Sequence, residues 1–162
     1  MKVIGFEERY GFRLMDSRIT KLSIAGAICY AVWGCLHIHA GYNVFLLGDS
    51  VDPGIVRGRL HQSGWNLFFF GVTVIGVALT LNIRNSKSGY WINLGVLALA
   101  DTGLIFFVLI PGYWAWWPGL AGPILWVAGF VLTTLAYLRD VPGGKISRPR
   151  SLTVRKGHSY AD

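Results

Sequence analysis

Four long stretches of the chain are apolar and almost free of charge, and the charged residues collect between and outside them. The stretches cover residues 22–41, 60–83, 90–110 and 117–138. Each is long enough to cross a bilayer core of about 30 Å as a helix, which requires about 20 residues. Membrane strands would show about ten residues of strict apolar and polar alternation, which no stretch shows. The pattern predicts an all-α integral membrane protein, a bundle of four transmembrane helices.

The composition supports a membrane protein of one domain. Only 14% of the 162 residues are charged and 53% are hydrophobic, whereas an ordinary soluble domain has about 25% charged residues. The four-helix domain is predicted to span residues 22–138. Residues 1–21 mix apolar and charged positions and are predicted to lie along the inner membrane interface. Residues 139–162 are basic and rich in Gly, Pro and Ser, which predicts a flexible tail.

The distribution of Lys and Arg predicts the orientation. Thirteen of the 15 basic residues lie on the side of both termini, and only Arg57 and Arg59 lie on the other side. The positive-inside rule therefore places both termini in the cytoplasm, with the protein in the inner or plasma membrane of the cell. The net charge of +7 thus mainly reflects topology, with some attraction to anionic membrane lipid. Nucleic-acid binding is not predicted, because the basic residues are divided between two ends and lack interleaved aromatics.

Asp101 is the acidic residue that stands inside an apolar stretch. It lies near the middle of the third stretch, and none of the four stretches contains a Lys or Arg in its interior that could neutralise it. A charged group at that depth costs at least about 2.5–3.5 kcal/mol, so ionisable residues there usually serve a function. Asp101 is therefore the first candidate for a catalytic or proton-binding residue.

The second stretch carries a polar stripe at helical spacing. It consists of Gln62, Asn66, Thr73, Gly76 and Thr80. Amides at membrane depth bond to a neighbouring helix or line a cavity, so this stripe is predicted to face protein and not lipid. His61 begins the same helix about 100° away, above Trp65.

Two histidines close the first stretch. His37 and His39 are two residues apart, so on a helix they point about 200° from one another and do not serve one site. His37 shares its face with Tyr30 and Trp33, and we predict that it points into the bundle. His39 is predicted to point to lipid, to the interface or to an adjoining subunit.

The predicted topology gathers the polar groups in the half of the bundle away from the termini. His37, His61, Gln62 and Asn66 fall in that half, with Asp101 at their floor. We therefore expect a funnel open to the non-cytoplasmic side. Acid–base roles are predicted for Asp101, His37 and His61. The predicted substrate-binding side chains are Gln62, Asn66, Trp33, Tyr30, Trp65 and Trp126.

This geometry favours an enzyme of isomerase or cyclase type. Such an enzyme would act on a lipophilic substrate by general acid–base chemistry, which makes the fewest demands on the positions of these groups. A carboxyl can protonate an alkene, epoxide or carbonyl while a histidine takes or returns a proton. Aromatic walls would stabilise a developing cation. The expected partners are a lipophilic small molecule and membrane lipid, with a homo-oligomer or a larger membrane complex as further options. No cofactor or metal is predicted.

Two other classes of protein could use the same groups. A proton-coupled carrier or channel would use Asp101 as its protonation site. A subunit of a membrane complex could have a structural role, or hold haem between His37 and His61, or a metal with Asp101 added. Haem needs two facing histidines, and His61 lies near the surface. A metal needs all three groups within about 2.0–2.2 Å of one ion, and Asp101 lies deeper than the histidines.

The fourth stretch carries small residues that predict close helix packing. They are Gly119, Gly122, Gly129 and Thr133, beside Trp126, and this spacing lets helix backbones approach. Cys29 and Cys35 lie on different turns of the first stretch, so they do not form a redox pair.

The predicted topology can be tested with single cysteines. Asp52→Cys and Arg150→Cys are each introduced into a chain without other cysteines. They should react with a membrane-impermeant maleimide from opposite sides of the membrane, because three predicted spans lie between residues 52 and 150. Labelling of both positions from the same side would contradict the four-span arrangement.

Overall fold

The computed structural model describes residues 19–140. The helices are α1 (Lys21–Asp49), α2 (Ile55–Val77), α3 (Lys87–Leu104), the short α4 (Trp116–Gly119) and α5 (Ala121–Asp140). α2 continues as a π-helix through Ala78–Asn82, and α3 continues in the same way through Ile105–Leu109. Residues 19–140 contain no strand. The predicted interfacial segment and flexible tail fall on residues outside the described part, apart from the few that begin α1 and end α5.

Four helices are long and apolar enough to cross a membrane, which confirms the all-α four-span bundle. They are Lys21–Asp49, Ile55–Asn82, Lys87–Leu109 and Ala121–Arg139. We call the side on which α1 ends and α2 begins the loop side, and the opposite side the terminal side. α1 continues well past the predicted end at residue 41, and its 29 residues make it about 43 Å long. This length exceeds a hydrocarbon core of about 30 Å.

Glycines bring α1 and α2 together along their length. They recur every seven residues in α1, at Gly34, Gly41 and Gly48, and again in α2, at Gly64 and Gly71. Seven residues are close to two helical turns, so each set forms one stripe. A Cβ on Gly34 would lie 2.7 Å from the carbonyl oxygen of Gly71, and one on Gly41 would lie 2.7 Å from that of Gly64. The two backbones are therefore in direct contact, as small residues permit in membrane helices.

Gly129 and Thr133, two members of the small-residue stripe predicted for the fourth stretch, pack closely on α1, whereas Gly119 lies in α4 and packs against Leu109. Gly129 lies against the ring of Tyr30, where a Cβ would be 2.6 Å from Cε1. The hydroxyls of Tyr30 and Thr133 are 3.2 Å apart and share a hydrogen bond. Thr133 also packs on Gly26 of α1, where a Cβ would be 2.6 Å from the threonine methyl group. α5 thus lies beside α1 on the face next to the glycine stripe.

α3 meets the other helices through a single stripe. Its buried residues recur every four positions, at Gly89, Asn93, Leu97 and Asp101. The Asn93 amide donates to Asn82 Oδ1 at 2.9 Å, which ties the terminal-side half of α3 to the end of α2. Leu97 is fully buried in the apolar core with Ala27, Val74 and Ala78. The loop-side half of α3 is held at Asp101.

The contact between α1 and α2 predicts a difference between two glycine-to-alanine changes. Gly34→Ala places a methyl group against the backbone of Gly71, so the helices must separate, and overpacking of this kind typically costs about 1–3 kcal/mol. Gly95→Ala on α3 is the matched control, because a Cβ there meets nothing within 4 Å and alanine favours helix. Thermal unfolding in lipid or mild detergent should show a lower Tm for Gly34→Ala only. Equal Tm values would contradict close packing at Gly34.

Candidate functional site at the junction of three helices

The buried carboxyl of Asp101 is bound by the indole of Trp33. Trp33 Nε1 lies 3.0 Å from Oδ2 and 3.2 Å from Oδ1 of Asp101, so one N–H is shared between both carboxyl oxygens. Trp33 is 0% exposed and Asp101 is 1% exposed. Asp101 lies about 21 Å along α3 from Lys87, inside a hydrocarbon core of about 30 Å. This hydrogen bond joins α1 to α3 at membrane depth.

His37 lies one turn after Trp33 and stacks on its ring. The two ring centroids are 3.5 Å apart with an angle of 20° between the ring planes. His37 Nδ1 lies 3.1 Å from the backbone oxygen of Trp33, and since a carbonyl can only accept, Nδ1 carries a proton. In neutral His37 the other nitrogen, Nε2, therefore holds a free lone pair. The structure gives Nε2 no hydrogen-bond partner within residues 19–140.

Gly122, at the start of α5, completes the junction. A Cβ placed on Gly122 would lie 3.4 Å from Asp101 Oδ1, 3.6 Å from Trp33 Nε1 and 3.7 Å from His37 Cε1. The carboxyl, the indole N–H and the imidazole thus surround one point beside α5. We call Trp33, His37, Asp101 and Gly122 the junction site.

Among residues 19–140, the Lys and Arg side chains are remote from the junction site. The ion pairs of the described residues gather on the loop side, where Arg57 Nη2 and His61 Nε2 lie 3.0 and 3.2 Å from Asp49 Oδ1. Asp101 therefore depends on a neutral donor, the indole N–H. An arrangement of this kind can deliver a proton from the carboxyl and accept one at His37 Nε2.

Two of the predicted substrate-binding residues lie on the terminal side of the junction site. Tyr30 is 0% exposed, and it occupies the preceding turn of α1, bonded to Thr133. Trp126 is half-buried on α5, one turn beyond Gly122, and stacks against Phe130 with ring centroids 6.3 Å apart. Its indole nitrogen is buried and has no hydrogen-bond partner among the described residues. Tyr30 and Trp126 thus lie on the terminal side of the carboxyl, in and against the hydrophobic core.

The predicted funnel is wrong for the residues of α2. Gln62, Trp65 and Asn66 are exposed on the outside of the bundle, away from Asp101. The reason is the rotation of α2, which turns its glycines toward α1 and therefore turns residues half a helical turn away outward. Gln62 accepts a hydrogen bond from Arg59 at 2.9 Å. The predicted stripe of α2 thus does not face the interior of its own bundle.

His61 also lies away from Asp101, at the loop-side tip of the α1–α2 hairpin. Its ring stacks on Phe45 at 5.2 Å between centroids and packs against Gly48. Gly48 is eleven positions beyond His37 on α1, so the two imidazoles are separated by roughly 16 Å along the helix. His37 and His61 therefore cannot ligate one haem iron or one metal ion. Within residues 19–140, no three His, Cys, Asp or Glu side chains cluster as a metal site.

The two histidines of α1 point as helix geometry predicts. His37 is buried at the junction site, whereas His39 is exposed and bonds to Asn43 on its own helix at 3.1 Å. His39 lies in an open groove of about 600 Å³ between α1 and α2, on the outside of the bundle. The other groove residues are mostly apolar: Cys35, Ile38, Gly41, Tyr42, Phe45, Trp65 and Phe68.

Sequence reasoning identified Trp33, His37 and Asp101 as site residues but missed how they connect and missed Gly122 beside them. Trp33 was expected to contact substrate, and instead its N–H binds Asp101. Gly122 was expected only to pack helices, and it also borders the carboxyl. The four-residue spacing of Trp33 and His37, which puts both on one helix face, is the signal that could have linked them.

Comparisons of the chain with protein-family models, with curated proteins and with solved structures gave no match. The chemistry of the junction site must therefore be argued from its own geometry.

The hydrogen bond between Trp33 and Asp101 predicts a contrast between two tryptophans. Trp33→Phe keeps an aromatic ring but leaves a buried carboxyl without its donor, a loss that typically costs about 1–3 kcal/mol. Trp126→Phe removes an N–H that has no partner, so it should cost less. The measurement is thermal unfolding of both variants in lipid. If Trp126→Phe destabilises the protein as much as Trp33→Phe, the loss comes from ring volume and the bond contributes nothing.

Proposed function

We propose that this protein is a small membrane enzyme that rearranges a lipophilic substrate by general acid–base chemistry, with Asp101 and His37 as the proton-transferring pair. The observation that carries the proposal is the junction site. The carboxyl of Asp101 and the imidazole of His37 border one point beside Gly122, and both residues are buried in the bundle. Such an environment strengthens electrostatic interactions with a reacting group, because water does not screen them.

An isomerisation balances with these two groups alone. Asp101 gives its proton to one carbon of a substrate double bond, and His37 Nε2 removes a proton from the carbon next to the other end. The double bond shifts by one position, Asp101 is left as a carboxylate and His37 as an imidazolium. Return of the proton from His37 to Asp101 restores the site without any other reactant. A cyclisation begins with the same protonation. A second double bond of the substrate then attacks the resulting cation and closes the ring, and His37 Nε2 removes a proton from a carbon next to the new cation.

Trp33 has two roles in this mechanism. Its N–H orients the carboxyl and stabilises the carboxylate that remains after the proton has left. Its ring, stacked on His37, holds the imidazole in place. Trp33 is thus a positioning residue for both groups. Tyr30 and Trp126 would contact a hydrocarbon substrate from the terminal side of the junction site.

The apolar core favours an enzyme over a carrier or channel. Ala27, Val74, Ala78 and Leu97 are at most 2% exposed, and they fill the level between the junction site and the buried asparagines on the terminal side. The hydroxyls of Tyr30 and Thr133 at that level bond to each other and to the backbone of α5 and do not extend a polar path across the bundle, so access from one side fits the packing better. A structural subunit would account for the bond between Trp33 and Asp101 but gives no use to the free nitrogen of His37.

The packing of α3 favours entry of the substrate from the membrane. On the terminal side α3 is tied to α5 by the hydrogen bond between Tyr90 and Thr134. On the loop side it is held at Asp101 and, in its continuation, at Leu109, which packs against Gly119. A lipophilic molecule that passes between α3 and α5 would reach Gly122 first. We further propose that the loop side faces away from the cytoplasm, because it carries few basic residues.

The proposal predicts the effect of removing the acidic proton. Asp101→Asn keeps the volume and an oxygen that accepts from Trp33, so folding should survive, because burying an amide costs less than burying a carboxylate. Turnover should fall by the factor typical of general-acid catalysis, about 10²–10⁴. His37→Ala should lower turnover as well, whereas His39→Ala, the matched histidine on the outer face, should not.

The substrate can be found by comparing membranes. Untargeted mass spectrometry of lipid extracts from cells that express the wild-type chain or Asp101→Asn should reveal a pair of isomeric lipophilic compounds whose ratio differs. Tm values measured on the same preparations separate loss of chemistry from loss of fold. A folded Asp101→Asn protein whose cells have the same extract as the wild type would refute acid–base catalysis at this site.

A further inference from the structure

We propose that two copies of this chain associate in the membrane through the outward face of α2. This face is formed by Gln62, Asn66, Thr73, Gly76 and Thr80, and we call it the α2 outer stripe. The inference rests on none of the acid–base chemistry above. Its basis is the polarity, the shape and the self-complementarity of the stripe.

The α2 outer stripe points directly away from the rest of the molecule. Relative to Gly71, which contacts α1, residues Gln62 and Thr80 lie half a helical turn around α2. Gln62, Asn66, Gly76 and Thr80 are exposed, and Thr73 is half-exposed. A Cβ on Gly76 would meet nothing within 4 Å. No other residue of the described range 19–140 therefore covers the stripe.

The stripe is too polar for contact with lipid alone. The structure gives the Asn66 amide no hydrogen-bond partner within residues 19–140, and Gln62 engages only its oxygen, with Arg59. Asn66 lies about 24 Å along the helix from Asn82, within the span of a bilayer core. Polar groups left without partners in hydrocarbon are costly, so amides at this depth normally bond to another helix.

The outward faces of the other helices show the contrast. α3 presents Ile92, Leu99 and Phe106 to its surroundings, and α5 presents Ile124, Val131 and Leu138. These large apolar side chains suit hydrocarbon. α2 also exposes large apolar side chains, among them Trp65, Phe69 and Val72, but the α2 outer stripe beside them adds the two exposed amides of Gln62 and Asn66. α2 thus presents its more polar face to the outside.

A second copy of the chain is the occupant that fits best. An amide both donates and accepts, so across a twofold axis perpendicular to the membrane Asn66 can bond to Asn66 of the second copy at the same depth. Gly76 and Thr80 are four residues apart, the spacing of small residues at which parallel membrane helices approach closely. Thr80 already donates to the backbone oxygen of Gly76 at 2.6 Å, which leaves its methyl group for packing. In the proposed dimer, Gln62 and Asn66 form hydrogen bonds between the two α2 helices, and Gly76 and Thr80 let the two helices approach closely.

Disulfide cross-linking in native membranes tests the interface. The full-length chain with Cys29→Ala and Cys35→Ala receives either Gly76→Cys or Gly95→Cys. Both positions are open glycines, about 9 Å from Asn82 and about 12 Å from Lys87 along their helices, so they lie at comparable depth. Mild oxidation should convert Gly76→Cys to a product of twice the mass at least about tenfold faster than Gly95→Cys.

Other outcomes of the cross-linking overturn the proposal. Equal rates at the two positions indicate random collision, and absence of a product from Gly76→Cys means that the stripe does not meet its own copy. A product heavier or lighter than two copies identifies another protein as the occupant.

Association in dilute lipid bilayers gives a second, independent measurement. Single-molecule photobleaching across a range of protein-to-lipid ratios yields the dimer association constant. Asn66→Leu should lower that constant about tenfold, by loss of interhelical hydrogen bonds, whereas Asn43→Leu, which removes an exposed amide of α1, should leave it unchanged. An unchanged constant for Asn66→Leu, or a wild-type chain that stays monomeric at all ratios, would refute the dimer.

Discussion

The backbone contact between α1 and α2 is the constraint on which the rest of the structure depends. Gly34 meets Gly71 and Gly41 meets Gly64 without intervening side chains, so neither helix can rotate about its axis without a clash. The rotation of α1 that satisfies this contact turns Trp33 and His37 toward α3 and α5, and turns His39 outward. The same contact fixes α2 so that Asn66 faces away from the bundle. One set of glycines therefore decides which polar groups are inside and which are outside.

Within that frame, side-chain hydrogen bonds attach the remaining helices. α3 is bonded to α2 through Asn93 and to α1 through Asp101, and α5 is bonded to α1 through Thr133. Hydrophobic burial does not drive association between helices inside a bilayer, because lipid tails are as apolar as the core. Close packing and these polar contacts must supply the specificity. A buried acid can thus be both a structural anchor and a reactive group, and Asp101 is placed to be both.

The sequence predicted the elements more reliably than their rotation. The long uncharged stretches predicted the four spans. Hydropathy indicates where the apolar part of a helix ends and not where the helix itself ends. α1 and α2 therefore extend beyond their predicted limits. The inward position of His37 followed from its neighbours on the helix. The prediction that Gln62 and Asn66 face the interior was wrong, because it rested on their polarity alone. The rotation of α2 about its axis is set by Gly64 and Gly71, which face α1. The seven-residue recurrence of those glycines, visible in the sequence, would have corrected the prediction.

The length of the α1–α2 hairpin has a mechanical consequence. Asp49, at its tip, lies about 24 Å along α1 from Trp33, and the glycine contacts make the two helices one stiff rod over most of that distance. A tilt of the rod by about 5° moves its far end by roughly 2 Å over this length, which is comparable to the range over which a hydrogen bond is lost. A movement of the charged hairpin tip is therefore transmitted along the rod to Trp33, whose indole binds Asp101. A soluble molecule that binds the tip could loosen or tighten the carboxyl without entering the membrane.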